Sequence, residues 1–336
     1  MGKRRHPLSG KLAPNLKQKR SSQKHAIRIL HAIYQLARSD KLLEARAVDP
    51  TRAMLRDALR GRDTGLIFDW LVLTLSLQGV SDRVAIEYAE RNGSATWKAL
   101  SADAARDPSC PKLSSFWHYA GCGYSKSLQT CARPDHFRNC PLPKLNLRNG
   151  RLNQLSWSLL LWIRDIADED IVRWIRRRLR PTIRSNGSLQ DQRERLLGPL
   201  RGVYGVSDKV LSLAFADLLL AAPPRWRDWR RLGGALIVID TLVHNNLVRT
   251  GILSRSGTDH AYGPACYRPK GCADVIDRVA EQLRVSPRAL THAVWRYCSQ
   301  DGLAICNGLR INDRRRCDNK YCRLHRICDR RKLHVK

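Results

Sequence analysis

Apolar positions along this chain recur at the spacing that lays one face of a helix against a core. Ile27, Leu30, Ile33, Tyr34 and Ala37 follow it within the stretch His25 to Arg60. Residues 66–77 are apolar nearly all round, as in a helix surrounded by others. Ser81-Asp82 can cap a helix over 83–91, and Ser94-Ala95-Thr96 the one after it. Residues 152–180 carry an apolar face through Leu155, Leu159, Trp162, Ile163, Ile166, Trp174 and Ile175; Pro181 to Ser188 should break it. A short helix leads to Gly205, another covers Lys209 to Ala222, and Pro223-Pro224 end it. A Trp/Arg-rich linker is expected up to Gly234, with helices again near 240–250, 273–284 and 286–298. Only Leu236 to Ile239 is β-prone, too short to found a sheet. Residues 110–147 hold four cysteines, four prolines and two glycines and read largely as loop. The class is mostly α.

Charge changes this picture. The 336 residues carry 61 Lys+Arg against 30 Asp+Glu, a net +31. Such an excess repels itself unless a polyanion offsets it, which points to nucleic acid or an anionic surface. Residues 1–24 hold eight Lys/Arg, no acid, and Pro7 and Pro14, and read as a disordered basic arm. The best apolar run, Gly65 to Leu77, contains Asp69 and is too short for a membrane span, and the first residues lack an apolar signal core. A soluble protein of the cytoplasm, or otherwise intracellular, is expected. In a reducing compartment its eleven cysteines are better read as metal ligands than as disulfides.

The sharpest cysteine pattern is Cys306-x10-Cys317-x4-Cys322-x5-Cys328, interleaved with Arg314, Arg315, Arg316, Lys320, Arg323 and Arg326. Four thiolates suit an iron–sulfur cluster or a zinc ion, and the cations between them suit phosphate contact. Cys110, Cys122, Cys131 and Cys140 are spaced more widely and could hold a second metal, with His118 or His136 as further ligands, or be plain buried thiols. Cys266-x5-Cys272 could add ligands, and Cys298 is left over. Upstream, Gly205-Val206-Ser207-Asp208-Lys209 is a small-residue turn before a helix. Gly205 permits close backbone approach, and the amides from Val206 to Lys209 can hold a phosphate oxygen; an ordinary helix-to-helix turn has the same composition.

The segment Val203-Tyr204-Gly205-Val206-Ser207-Asp208-Lys209-Val210-Leu211 resembles the helix-hairpin-helix of the endonuclease III-like DNA glycosylases, Leu-Pro-Gly-Val-Gly-x-Lys-Thr-Ala. Further matches follow the family's order. Ile239-Asp240-Thr241-Leu242-Val243-His244-Asn245 resembles its Val-Asp-Thr-His-Val-x-Arg, and Leu75-Ser76-Leu77-Gln78 its Leu-Leu-Ser-x-Gln helix end. Gly121-Cys122-Gly123-Tyr124-Ser125-Lys126 echoes its Gly-x-Tyr-x-x-Lys, and the terminal cysteines resemble its iron–sulfur loop. Together the matches cover about residues 60–130 and 198–328. There are departures: the first two cysteine gaps are longer than the family's, Ser207 replaces a glycine and Tyr204 a proline. Asp240 lies further from Lys209 than is usual; a long interval there also occurs in an archaeal 8-oxoguanine glycosylase group, a pointer to oxidised purines.

The resemblance implies an all-α protein of two helical domains with the active site in the cleft between them. One is a helical barrel over 61–234, including an insert at 131–197 and the hairpin at about 198–222. The other is residues 235–336, with the cluster loop at 306–328 and with 25–60 packed on it. The implied activity is base excision from double-stranded DNA by base flipping, with AP-lyase activity, in a monomer. Lys209 would attack the sugar and form a Schiff base, and Asp240 would deprotonate it and stabilise the sugar's positive charge. Gln78 would fill the space left by the extruded base, while Lys126, Gly205, Val206, Ser207, Arg314, Arg315, Arg316, Lys320 and Arg323 would contact DNA. Cys306, Cys317, Cys322 and Cys328 would hold a 4Fe–4S cluster, with zinc as the alternative. A glycosylase without lyase activity and a non-catalytic metal-containing DNA-binding protein stay open. The sequence names no lesion.

Overall fold

The computed structural model describes residues 16–40, 50–76, 82–93, 95–105, 110–125, 127–132, 140, 142, 150 and 152–333. They are mostly helical: α1 (Leu16–Ser39), α2 (Pro50–Gly61), α3 (Thr64–Ser76), α4 (Asp82–Asn92), α5 (Trp97–Ala105), α6 (Phe116–Tyr119), α7 (Asn153–Asp165) and α8 (Ile171–Arg184). There follow α9 (Leu189–Leu197), α10 (Asp208–Ala221), α11 (Arg227–Ala235), α12 (Thr241–Arg249), α13 (Ile252–Arg255), α14 (Cys272–Leu283) and α15 (Pro287–Cys298). Two strands, β1 (Tyr124–Ser125) and β2 (Thr130–Cys131), pair antiparallel with Tyr124 opposite Cys131. Among the described residues no helix is long and apolar enough to cross a membrane. The chain divides into two compact units, residues 44–238 with 286–289 and residues 1–43 with 239–285 and 290–336. They are called here the hairpin unit and the cysteine-loop unit.

In the hairpin unit α3 is surrounded by α2, α4, α5, α7 and α10, as its all-round apolar sequence requires. Its core includes Phe68, Trp157, Trp162 and Phe215, all fully buried. Asp69 reaches out of α3 to accept the Trp97 backbone N–H at 2.7 Å at the start of α5. Three sequence expectations change here. The Trp/Arg-rich linker is helical as α11, because Trp229, Leu232, Gly233 and Ala235 share a buried face that packs on α10. The helical stretch expected over residues 152–180 is two helices, α7 and α8. Asp168 and Glu169 take left-handed φ of 51° and 59°, and Asp170 caps α8 by accepting the Arg173 N–H. Pro181 sits inside the last turn of α8, and it is the chain past Arg184 that leaves the helix. The helix α2, expected against the C-terminal region, packs on α3 and α10.

The hairpin is α9, a 3-10 turn over Gly198–Gly202, an open turn, and α10. Ser188 opens α9 with a reciprocal capping box through Asp191. The Trp162 indole donates to Pro199 O at 3.0 Å, and the Tyr204 N–H to Ser158 Oγ at 2.8 Å, tying the turn to α7. Arg201 clamps both arms, donating to the Glu194 carboxylate on α9 and to Asp208 Oδ1 at 2.7 Å on α10. Gly205 turns the chain with φ +77°, a conformation costly for a side chain.

In the cysteine-loop unit α1 packs on α13 and α14, with His25 against Thr250 O at 2.9 Å and Ser22 donating to Arg255 O at 2.5 Å. Residues 16–24, expected to be part of a disordered arm, belong to α1. The helix-breaking Pro7, Gly10 and Pro14 all precede Leu16, and nothing from there to Ser39 interrupts a helix. After α15 the chain runs to Leu333 without a helix, and Asn307 anchors it by donating to Cys298 O at 2.8 Å.

Candidate functional site

The four cysteines of the terminal array line one cavity, together with Arg249, Tyr297, Leu324 and His325. The Tyr297 hydroxyl, almost fully buried, lies 3.0 Å from Cys322 Sγ. The Arg330 backbone N–H donates to Cys328 Sγ at 3.3 Å, and the Leu324 N–H to Cys322 Sγ. Such donors steady a sulfur as an acceptor, which suits metal-bound thiolate. Burial pushes the Cys328 thiol up to about 12, whereas Cys306 is pushed down, first by a hydrogen bond from Cys298 and further by the Arg249 charge. Four sulfurs around one cavity are a donor set that a thiophilic metal can use. Arg314, Arg315, Arg316, Lys320, Arg323 and Arg326 are all exposed, as is Tyr321. Sulfurs face inward and cations outward.

A second set was only half legible in the sequence. His244, His260, Cys266 and Cys272 bring one ligand atom each to within 4.8 Å of one another, and a metal ion can be held there. Among the described residues it is the one set gathered so closely. His244 comes from α12, His260 from the loop after α13, Cys266 from the 3-10 turn Pro264–Tyr267, and Cys272 from the start of α14. Hydrogen bonds from Cys272 and from His244 hold the Cys266 thiol well below its usual range. The cysteine pair was visible as Cys266-x5-Cys272. The histidines were not, because His244 lies 22 residues from its sulfur partner Cys266 and the fold alone unites them.

Lys209 is half-buried in the first turn of α10. Ser207 stands at that helix's N-cap but its side chain makes no capping hydrogen bond. Amides at the helix start thus keep capacity for an anion. Gly205 and Ser207 are exposed there and Val206 is half-buried. Asp240 caps α12, its carboxylate accepting the Val243 N–H at 2.8 Å. Just before it the Tyr267 hydroxyl accepts the Ile239 N–H at 2.8 Å, so the backbone entering the cap is tied as well. Gln78 and Lys126 lie outside the described residues.

Cys110, Cys122 and Cys140 pack against the hairpin-unit core, and Cys131 lies opposite Tyr124 on the two-stranded ladder. Burial pushes the Cys122 and Cys140 thiols up, and each of these two feels the charge of other cysteines of the group. His118 is engaged by Ser114 and Ser115, with its Nδ1 at 3.0 and 2.9 Å from their hydroxyls, and His136 lies outside the described residues. Compared with protein-family models, with curated proteins and with solved structures, the chain matches none. The glycosylase resemblance thus rests on its motif residues.

Proposed function

We propose that this protein excises a damaged or modified base from double-stranded DNA and then cleaves at the abasic site. The observation that carries the reading is the hairpin: a left-handed Gly205, an N-terminus of α10 without a side-chain cap, and Lys209 in its first turn. A phosphate held by those amides brings an extruded nucleotide's sugar toward the lysine. The Lys209 amine, free of its proton, attacks C1′; the base departs with the glycosidic electron pair. The resemblance gives Asp240, whose carboxylate accepts the Val243 N–H, the role of taking the amine's proton and offsetting positive charge on the sugar. Opening of the sugar ring at C1′ leaves a Schiff base, and removal of a C2′ proton expels the 3′ phosphate. Cys306, Cys317, Cys322 and Cys328 would hold a 4Fe–4S cluster, which supplies rigidity to a loop whose exposed arginines dock on phosphates.

The test is a set of duplexes carrying oxidised pyrimidines, 8-oxoguanine, uracil, alkylated bases or abasic sites, incubated with and without borohydride. The expected result is a covalent adduct on at least one duplex, lost in Lys209→Ala and kept in Lys126→Ala. Asp240→Asn should slow base release by about 10²–10⁴-fold. Base release without any adduct would assign a monofunctional glycosylase. Duplex binding with no release from any lesion would overturn the enzymatic reading.

A further inference from the structure

We propose that His244, His260, Cys266 and Cys272 bind one zinc ion in a closed, structural, tetrahedral site separate from the terminal cysteine array. The distances carry this. Zn–S of about 2.3 Å and Zn–N of about 2.05 Å at a tetrahedral angle space nitrogen and sulfur about 3.6 Å apart. The sulfur–nitrogen separations are 3.3 Å for His244 Nδ1 to Cys272, 3.5 Å for His244 Nδ1 to Cys266, and 3.4 Å for His260 Nε2 to Cys272. Two imidazoles and two thiolates are a donor set that zinc favours over hard cations.

The surroundings are built for it. His260 Nδ1 lies 2.6 Å from Thr258 O, so that nitrogen donates and Nε2 keeps its lone pair for a metal. Cys272 stands at the first position of α14, at the positive end of that helix's dipole. A Cβ on Gly271 would fall 2.3 Å from Ala265 O and 2.7 Å from Cys266 O, so only glycine lets the chain close between the two cysteines. His244, Cys266 and Cys272 are buried. Four protein ligands fill a tetrahedron and leave no position for water or substrate, so the ion staples rather than catalyses. What it staples is a stretch of little regular structure, the four-residue α13 and the 3-10 turn, between α12 and α14.

The experiment measures zinc and iron per chain in full-length protein. One zinc per chain is expected from His244, His260, Cys266 and Cys272, retained in Cys317→Ser/Cys322→Ser and lost in Cys266→Ser/Cys272→Ser. Cobalt(II) exchanged into the native protein should give intense tetrahedral visible bands and thiolate charge-transfer bands. His260→Cys keeps four ligands, so it should retain zinc and raise the charge-transfer intensity by one further thiolate. That readout serves even where the double serine variant fails to fold. Zinc unchanged in Cys266→Ser/Cys272→Ser, no zinc uptake by wild type, or a Cys266–Cys272 disulfide in the mass spectrum would overturn the proposal.

Discussion

Arg249 is 2% exposed on α12, beside the four sulfurs of the terminal array. Its guanidinium pairs with Asp313, and its carbonyl accepts the Arg331 N–H at 2.9 Å, so one residue ties α12 to both ends of the cysteine loop. Arg249→Met removes the buried partner of an ion pair whose Asp313 side chain is 32% exposed, and should cost about 1–3 kcal/mol, read as a lower thermal midpoint. At Asp69 burial raises the carboxyl's pKa against the opposing Trp97 hydrogen bond. The folded state then binds its proton more tightly than the unfolded chain, so this carboxyl's contribution is full below the unfolded pKa and fades as pH rises through the folded one. Asp69→Asn keeps an acceptor for Trp97 without the charge. It should gain stability over wild type at pH 7, and that gain should vanish in denaturation measured below about pH 4, under the usual aspartate pKa. Neither role is written in the sequence. Arg249 is one of 61 Lys and Arg, and Asp69 one acid in an apolar helix; burial alone distinguishes them.

At the scale of elements, the hairpin and the cysteine loop were legible because each depends on residue types with few alternatives. A left-handed turn favours glycine, and a thiophilic metal needs thiols. The loop's cations stand outward, so replacing Arg314, Arg315, Arg316, Lys320 and Arg323 with serine should weaken binding to duplexes of any sequence. The slope of log affinity against log salt should flatten by about 0.9 for each phosphate that these side chains no longer neutralise. An unchanged slope would remove these side chains from the proposed contact with DNA. The extended α1 and the helix α11 were less legible. Lysine, arginine and glutamine read as solvated arm or linker until a neighbour covers the few apolar positions among them, as α10 covers Trp229 and Leu232.

At the scale of the whole molecule the two units differ in how much regular structure they hold. The hairpin unit has a broad core of fully buried aromatic and aliphatic side chains. The cysteine-loop unit adds a helix-free stretch from Ser299 to Leu333 and the short pieces around Cys266. A zinc ion held by His244, His260, Cys266 and Cys272, as proposed, would add folding free energy to this unit, on the order of 10 kcal/mol. Chelation at low pH should therefore strip hydrogen-exchange protection from α12, α14 and α15, while α3, α7 and α10 keep theirs; equal loss in both units would refute this division of stability. By itself the sequence determined the helical class, the net positive charge, the small-residue turn before α10 and the terminal set of sulfurs. These follow from local spacing and residue chemistry, which need no distant partner. Only the tertiary structure decided which arginine is buried against the sulfurs and that His244 and His260 meet Cys266 and Cys272. Such contacts arise between segments far apart in the chain, where packing selects the neighbours and no local period records them.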